Sequence, residues 1–167
     1  FNGTLYHLWY FPGVMLGVCI CYFLYTRLSV LKAFLITLLL YGIGLLGDSY
    51  YALAQMNPSI ESIYQAMFNL FDSTRNGIFF APVFVMLGGL IAAHGKHDRG
   101  MMMSYTAGFV FFFGMMVTEG LLVHAFQLSR HDRMYLLSIP CLYFLFLLLL
   151  SLRMRSNRYL RNLGMYV

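Results

Sequence analysis

The sequence predicts an all-α fold, a polytopic transmembrane helix bundle of five spans plus one extracytoplasmic amphipathic helix. Three observations predict it. Of 167 residues, 60% are hydrophobic. Only 10% are charged, against about 25% in an ordinary soluble domain, too few to cover a water-exposed surface. The apolar residues fall into runs of near the ~20 residues that a spanning helix needs, and none alternates with the two-residue period of a membrane barrel strand. The same composition excludes disorder, which requires low hydrophobicity and high charge. A net charge of +5, not gathered on a soluble face, argues against a nucleic-acid-binding domain.

The elements follow in order. The first run, Leu5 to Tyr25, carries Tyr6, Trp9 and Tyr10 at one end and Tyr22 and Tyr25 at the other, as interfacial aromatic belts do. The second is Val30 to Gly47. The third, Gly77 to Ala93, is at the short limit. The fourth is Met101 to Phe126 and the fifth Tyr135 to Leu152. The long connection from Asp48 to Asn76 holds its own signal. Asn57-Pro58 reads as an N-cap followed by proline at the first helical position, with Glu61 near the helix start. Ile60, Ile63, Tyr64, Met67, Phe68, Leu70 and Phe71 then recur at helical spacing. This predicts an amphipathic helix over about 58–72, too short and polar to span, lying on the outer interface or capping the bundle. Residues 1–167 make one membrane domain. The chain starts at Phe1 without a signal-peptide pattern and stops as a new apolar stretch begins, so it reads as a piece of a longer protein.

Charge sets the expected orientation. Arg27, Lys32, Lys96, Arg99, Arg153, Arg155, Arg158 and Arg161 fall on one side, and only Arg75, Arg130 and Arg133 on the other. The positive-inside rule places the first side in the cytoplasm. Residue 1 is then outside and the basic C-terminal tail inside, with the lipid bilayer as the first partner.

Several motifs carry no chemistry. Gly42-x-Gly44-x-x-Gly47 spells a dinucleotide fingerprint but sits inside an apolar helix rather than between strand and helix. These glycines and Gly13-x-x-x-Gly17 serve close helix approach. His94-x-x-His97-Asp98 reads as a solvated turn, since a zinc site wants three or four ligands. No metal and no resident cofactor are expected. Cys19, Cys21 and Cys141 lie in apolar runs and read as small buried hydrophobes.

Glu119 resists such an account. It is the one charged residue well inside a span, where ionisation costs at least ~2.5 kcal/mol, so it must face the protein interior, a cavity or a partner. It is either paired with a neighbouring helix or protonated, or it belongs to a substrate site or proton relay. Asp48, Tyr50 and Tyr51 close the second span on the same outer side. Arg75 and Asn76 open the third, and Trp9 starts the first. An arginine fork suits a ligand carboxylate or phosphate. A pair of Arg75 with Asp72 or Asp48 is equally consistent. The candidate substrate-binding set is Trp9, Asp48, Tyr50, Tyr51, Arg75, Asn76 and Glu119. No catalytic residue is assigned.

Three stretches, His7-Leu8-Trp9-Tyr10-Phe11-Pro12, Gly44-Leu45-Leu46-Gly47-Asp48-Ser49-Tyr50-Tyr51 and Thr74-Arg75-Asn76-Gly77-Ile78-Phe79-Phe80-Ala81-Pro82, resemble the acyltransferase-3 family of bacterial multi-span membrane acyltransferases. Within it the chain looks most similar to the membrane domain of vancomycin-resistance serine racemases. The resemblance implies a bacterial cytoplasmic membrane protein that moves an acyl group, such as acetyl, from an acyl-thioester donor such as acetyl-CoA to an extracytoplasmic sugar or cell-wall acceptor. That family has about ten spans and a catalytic histidine upstream of the region matched here. None of His7, His94, His97, His124 or His131 corresponds to it, so this chain alone is expected to be inert. The alternative is the membrane domain of a serine racemase that binds or transports serine. Asp48, Arg75 and Glu119 would then meet the ammonium and carboxylate. A purely structural membrane subunit is the third possibility.

Overall fold

The computed structural model describes residues 10–70, 73–94 and 99–152. Within them the chain is all-helical, with seven α-helices and no strand: α1 (Tyr10–Arg27), α2 (Val30–Gly47), α3 (Tyr51–Gln55), α4 (Pro58–Leu70), α5 (Ala81–His94), α6 (Met102–Ala125) and α7 (Ser138–Ser151). A single 3-10 turn, Arg99–Met101, leads into α6. Two helices, α2 and α6, are long and apolar enough to cross a bilayer. Of the five spans expected, these two alone have the length and composition of a spanning helix among the described residues. The apolar stretches Phe11–Arg27, Ala81–Ala93 and Ser138–Ser151 are shorter.

The shortening of α5 and α7 has a local cause. The run from Gly77 begins as a turn because the Asn76 carboxamide oxygen accepts the N–H of Ile78 (2.9 Å) and Phe79 (3.1 Å). Helix proper starts at Ala81, with Pro82 in the first turn, where its missing N–H is harmless. Likewise α7 starts at Ser138, not Tyr135, because the N–H groups of Leu136 and Leu137 bond to the Glu119 side chain of α6, described below. The expected amphipathic helix forms as α4. Asn57 caps it, its Oδ1 accepting the Ser59 N–H at 3.0 Å. The five-residue α3 had no signal in the sequence. It is too short for a periodicity to show.

Helix α5 is the centre, packing on α1, α2 and α7, while α6 packs mainly on α7. Small residues set the closest approach. A Cβ on Gly17 would lie 2.7 Å from Ala81 Cβ, and one on Gly77 would lie 2.6 Å from the Gly13 carbonyl oxygen, so α1 touches the start of α5 at backbone distance. A Cβ on Gly44 or Gly47 would collide with Met134 and Phe79 or with Thr74 and Tyr64, whereas Gly42 faces open space. The principal core joins Tyr41 and Leu45 of α2, Val83, Leu87 and Ile91 of α5, Met134, and Ile139 and Leu147 of α7. Tyr41 meets the Phe84 ring edge-on at 5.7 Å. Cys21 and Cys141 are buried as expected, but Cys19 is exposed, on the face of α1 away from α5.

Candidate functional site

The polar residues of the chain gather where α2 and α6 end and α7 begins. The stretch 126–137, which joins α6 to α7, would leave many backbone N–H groups without partners as it crosses the bundle end. Several of them find partners on other parts of the fold. The N–H of Arg130 donates to the Asp48 carbonyl (2.9 Å). That of Arg133 donates to Asp48 Oδ2 (2.8 Å), and that of Met134 to Ser49 Oγ (3.2 Å). Leu136 N–H donates to Glu119 Oε1 at 2.7 Å and Leu137 N–H to Glu119 Oε2 at 2.9 Å. The Ala52 N–H returns a bond to the Leu128 carbonyl at 2.9 Å. Asp132 adopts a left-handed backbone (φ 48°), which aspartate tolerates better than most residues.

Glu119 therefore sits at the N-terminal end of α7. Its two oxygens accept adjacent N–H groups at the positive end of that helix, which is where an anion is stabilised. The Tyr50 hydroxyl is its third donor. Burial first, and then the bond to Glu119, push the Tyr50 phenol well above its ordinary value, so it stays a donor. Asp48 is fully buried. Its Oδ2 also receives the Ser49 hydroxyl at 3.4 Å, while its Oδ1 has no hydrogen-bond partner. The group closest to an ion pair with Oδ1 is His131 Nδ1, at 3.9 Å. Burial, with Arg133 and Arg130 adding repulsion against the pull of Asp48, lowers the His131 pKa below 6.5. The Tyr41 hydroxyl, on the inner side of the same knot, lies 2.7 Å from the Tyr135 carbonyl and 2.9 Å from Ser138 Oγ.

Of the residues the sequence nominates, the fold brings Asp48, Tyr50 and Glu119 together around this crossing. Tyr51 turns away, packing edge-on against Tyr64 (6.3 Å) and Phe68 (5.6 Å) of α4. Asn76 spends its carboxamide on the turn before α5, its Nδ2 donating to the Ser73 carbonyl at 3.2 Å. Arg75 lies beside Phe80, its guanidinium 5.8 Å from the ring centre. The expected pair of Arg75 with Asp48 does not form, because Asp48 is enclosed by residues 130–134. Trp9, Asp72, His97 and the tail arginines lie outside the described residues. Ser49 and Tyr41 are working members of the site that the sequence did not single out. Ser49 follows the charged residue that ends α2, which is the signal that marks it. Tyr41 reads from sequence as one more aromatic in an apolar run.

Beside Glu119 opens a pocket of about 450 Å³, walled by Met115, Leu122, Val123, Phe126, Leu128 and Leu137, with Tyr50, Thr118 and Glu119 as its polar members. It presents a carboxylate and a phenol in an apolar setting and no basic side chain. It suits a group that donates hydrogen bonds. Among the described residues no cluster of three or more His, Cys, Asp or Glu side chains could hold a metal ion.

The chain is similar to curated racemases. It is 40% identical over 166 residues, 99% of its length, to an amino-acid racemase of Enterococcus faecalis. It is 43% identical over 151 residues, 89% of its length, to a serine/alanine racemase of Enterococcus gallinarum. A further amino-acid racemase of Enterococcus faecalis is 36% identical over 151 residues, 90% of this chain. The chain spans 23%, 21% and 21% of these proteins respectively, about a fifth to a quarter of the length of the curated relatives it matches. No protein-family model matches the sequence, and no solved structure does. The resemblance to the acyltransferase-3 family thus rests on the short motifs quoted above, and the relatives favour the racemase alternative over acyl transfer.

Proposed function

We propose that this chain is the membrane-embedded part of a racemase-type protein and that it binds serine or alanine at its outer end and admits it to the cell. The observation that carries this reading is the 40% identity to an amino-acid racemase over 99% of the chain, joined by the match to a protein named for both amino acids. The extent of exposed apolar surface supports a lipid environment. Met103, Val110, Phe111, Val117 and Leu121 of α6 and Leu31, Leu35 and Leu39 of α2 all face outward, far beyond the patch a water-soluble monomer tolerates. The asymmetry of basic residues supports an outer location for residues 48–80 and 126–137.

An amino acid brings an ammonium with three donors. In the Glu119 pocket it meets Glu119 and Tyr50 between apolar walls wide enough for a small side chain. The ligand carboxylate is left toward the outer end, where Arg133 follows Leu128 in the chain. The chain's own residues thus bind and orient. No residue among them is assigned to breaking a bond.

The test uses the native full-length protein in proteoliposomes supplied with labelled L-serine outside. Uptake above protein-free vesicles is expected, and Thr118→Phe, which fills the pocket from an exposed position, should abolish it. Absence of uptake by the native protein would overturn the transport reading. Unchanged uptake by Thr118→Phe would remove this pocket from the route. Labelled acetyl-CoA and sugar acceptors in the same vesicles report on acyl transfer.

A further inference from the structure

Helix α4 divides around its axis into three flanks. At about 100° per residue, Tyr64 and Phe68 share one flank, and it is the one packed against Tyr51 and the end of α2. Ser59, Ser62, Gln65 and Asn69 occupy the opposite side. Between them lies a second apolar flank of Ile60, Ile63 and Leu70, all exposed, with the half-buried Met67 beside them. Ile63 is 60% exposed and Leu70 79%, and Met56, just ahead of the helix, is 81% exposed.

Two observations say what covers this flank. The first is depth. The Tyr64 hydroxyl donates to the Ile43 carbonyl at 2.8 Å, about one turn inside the end of α2. A Cβ on Gly47 would touch the Tyr64 ring at 3.0 Å. Tyr64 therefore anchors α4 to the last turn of a spanning helix, where the lipid headgroups begin. The second is charge. Helix α4 has no basic residue of its own. The Arg130 guanidinium stacks on Phe68 with 3.6 Å from Cζ to the ring centre, and among the described residues it donates no hydrogen bond. A fork held flat against an aromatic ring keeps its N–H edge turned outward for a phosphate.

We infer that Met56, Ile60, Ile63 and Leu70 are seated in the outer leaflet, with Arg130 bound to a lipid phosphate, so that α4 moors the outer end of the bundle to the bilayer surface. This rests on the membrane reading proposed above, and the experiment separates the two. The single tryptophan of the chain, Trp9, is replaced by phenylalanine, and one tryptophan is returned as Ile63→Trp or, as a control in the middle of α2, Leu39→Trp. Both are placed in vesicles of phosphatidylcholine and phosphatidylglycerol carrying brominated acyl chains. Ile63→Trp should be quenched by bromine near the headgroup more than by bromine near the bilayer centre, and Leu39→Trp the reverse. Adding Arg130→Gln should reduce the shallow quenching of Ile63→Trp. If Leu39→Trp is untouched by either lipid, the membrane reading itself fails. If Leu39→Trp is quenched but Ile63→Trp responds only to aqueous acrylamide, or to neither quencher because polypeptide covers it, the mooring is overturned. Shallow quenching that is indifferent to Arg130→Gln overturns the phosphate contact.

Discussion

Replacing Glu119 is the most informative perturbation of this fold, because the same residue anchors a helix start and lines the pocket. Three donors converge on its carboxylate: the N–H groups of Leu136 and Leu137 and the Tyr50 hydroxyl. A hydrogen bond to a charged group contributes about 1.5–3 kcal/mol, and loss of a helix cap costs about 0.5–2 kcal/mol. The three contributions overlap, and Leu136 is exposed, so its N–H recovers water when the carboxylate is removed. The net loss expected for Glu119→Leu is therefore about 2–4 kcal/mol. At about 2–4 °C per kcal/mol for a chain of this size, that lowers the melting temperature by about 5–15 °C. Glu119→Gln should lie between. Its amide oxygen can keep the two donors at the Oε1 position, but its NH2 then faces the Leu137 N–H, losing about 1–2 kcal/mol. The assay follows from the cysteines: in a Cys19→Ala background only the buried Cys21 and Cys141 remain, and a thiol-reactive dye reports their exposure on heating. Tyr50→Phe should cost less in Glu119→Leu than in the native chain, since its partner is already gone. If Glu119→Leu melts at or above the native temperature, the capping argument is wrong, and the charge is kept for chemistry alone.

Other expectations follow from the same geometry. Asp48→Asn should cost under about 1 kcal/mol, because its oxygen can keep the Arg133 N–H while its NH2 replaces an Oδ1 that accepts nothing, whereas Asp48→Ala should cost about 2–4 kcal/mol by leaving buried donors unpaired; the same melts rank the two. Gly17→Ala should destabilise by about 1–3 kcal/mol, since its Cβ meets that of Ala81 at 2.7 Å, while Gly114→Ala, with nothing within 4 Å, should stabilise by about 0.5–1 kcal/mol. His131 titrates below its ordinary 6.5 in the fold, so the unfolded chain binds its proton first. Stability from this residue is full above pH 6.5 and declines as pH falls toward the lowered value, and His131→Gln should flatten that slope in melts between pH 5 and 8.

What the sequence disclosed and what it withheld divide by distance along the chain. The cap of α4 is legible because Asn57, Pro58 and Ser59 are neighbours. The close approach at Gly17 is legible as a small-residue spacing, although its partner Ala81 is not. Glu119 announces itself as a charge in an apolar run. Its partners, the N–H groups of residues 136 and 137, carry no mark, since every residue but proline has one. Asp48 is the extreme case. Its partners lie 85 residues away, and its own neighbours suggested a ligand or Arg75 instead. The helices α5 and α7 begin three or four residues after their apolar runs, which open at Gly77 and Tyr135, for a related reason. Hydropathy does not distinguish a helical turn from an apolar turn whose N–H groups are satisfied by a side chain.

This division bears on function. Three of the residues that sequence offers for binding, Asp48, Tyr50 and Glu119, close the end of the bundle where α2 and α6 stop, and a carboxylate engaged by three donors has little capacity left for a ligand. Glu119 can meet an ammonium only by yielding the Tyr50 hydroxyl or sharing Oε2, which otherwise accepts the Leu137 N–H alone. Asp48 Oδ1 is a vacant acceptor, but it is sealed beneath residues 130–134. A ligand that reached it would have to lift that stretch, exchanging the bonds of Arg133 to Asp48 and Met134 to Ser49 for bonds to itself. Such an exchange conserves hydrogen bonds in number, which keeps its cost low. Under the proposed function, binding at Glu119 and opening over Asp48 would be two steps along one route. Fixing 130–134 to the end of α2 with a disulfide should block passage of an amino acid while leaving its first binding at Glu119 intact, measurable as retained binding with lost uptake. Loss of neither would separate Asp48 from the route.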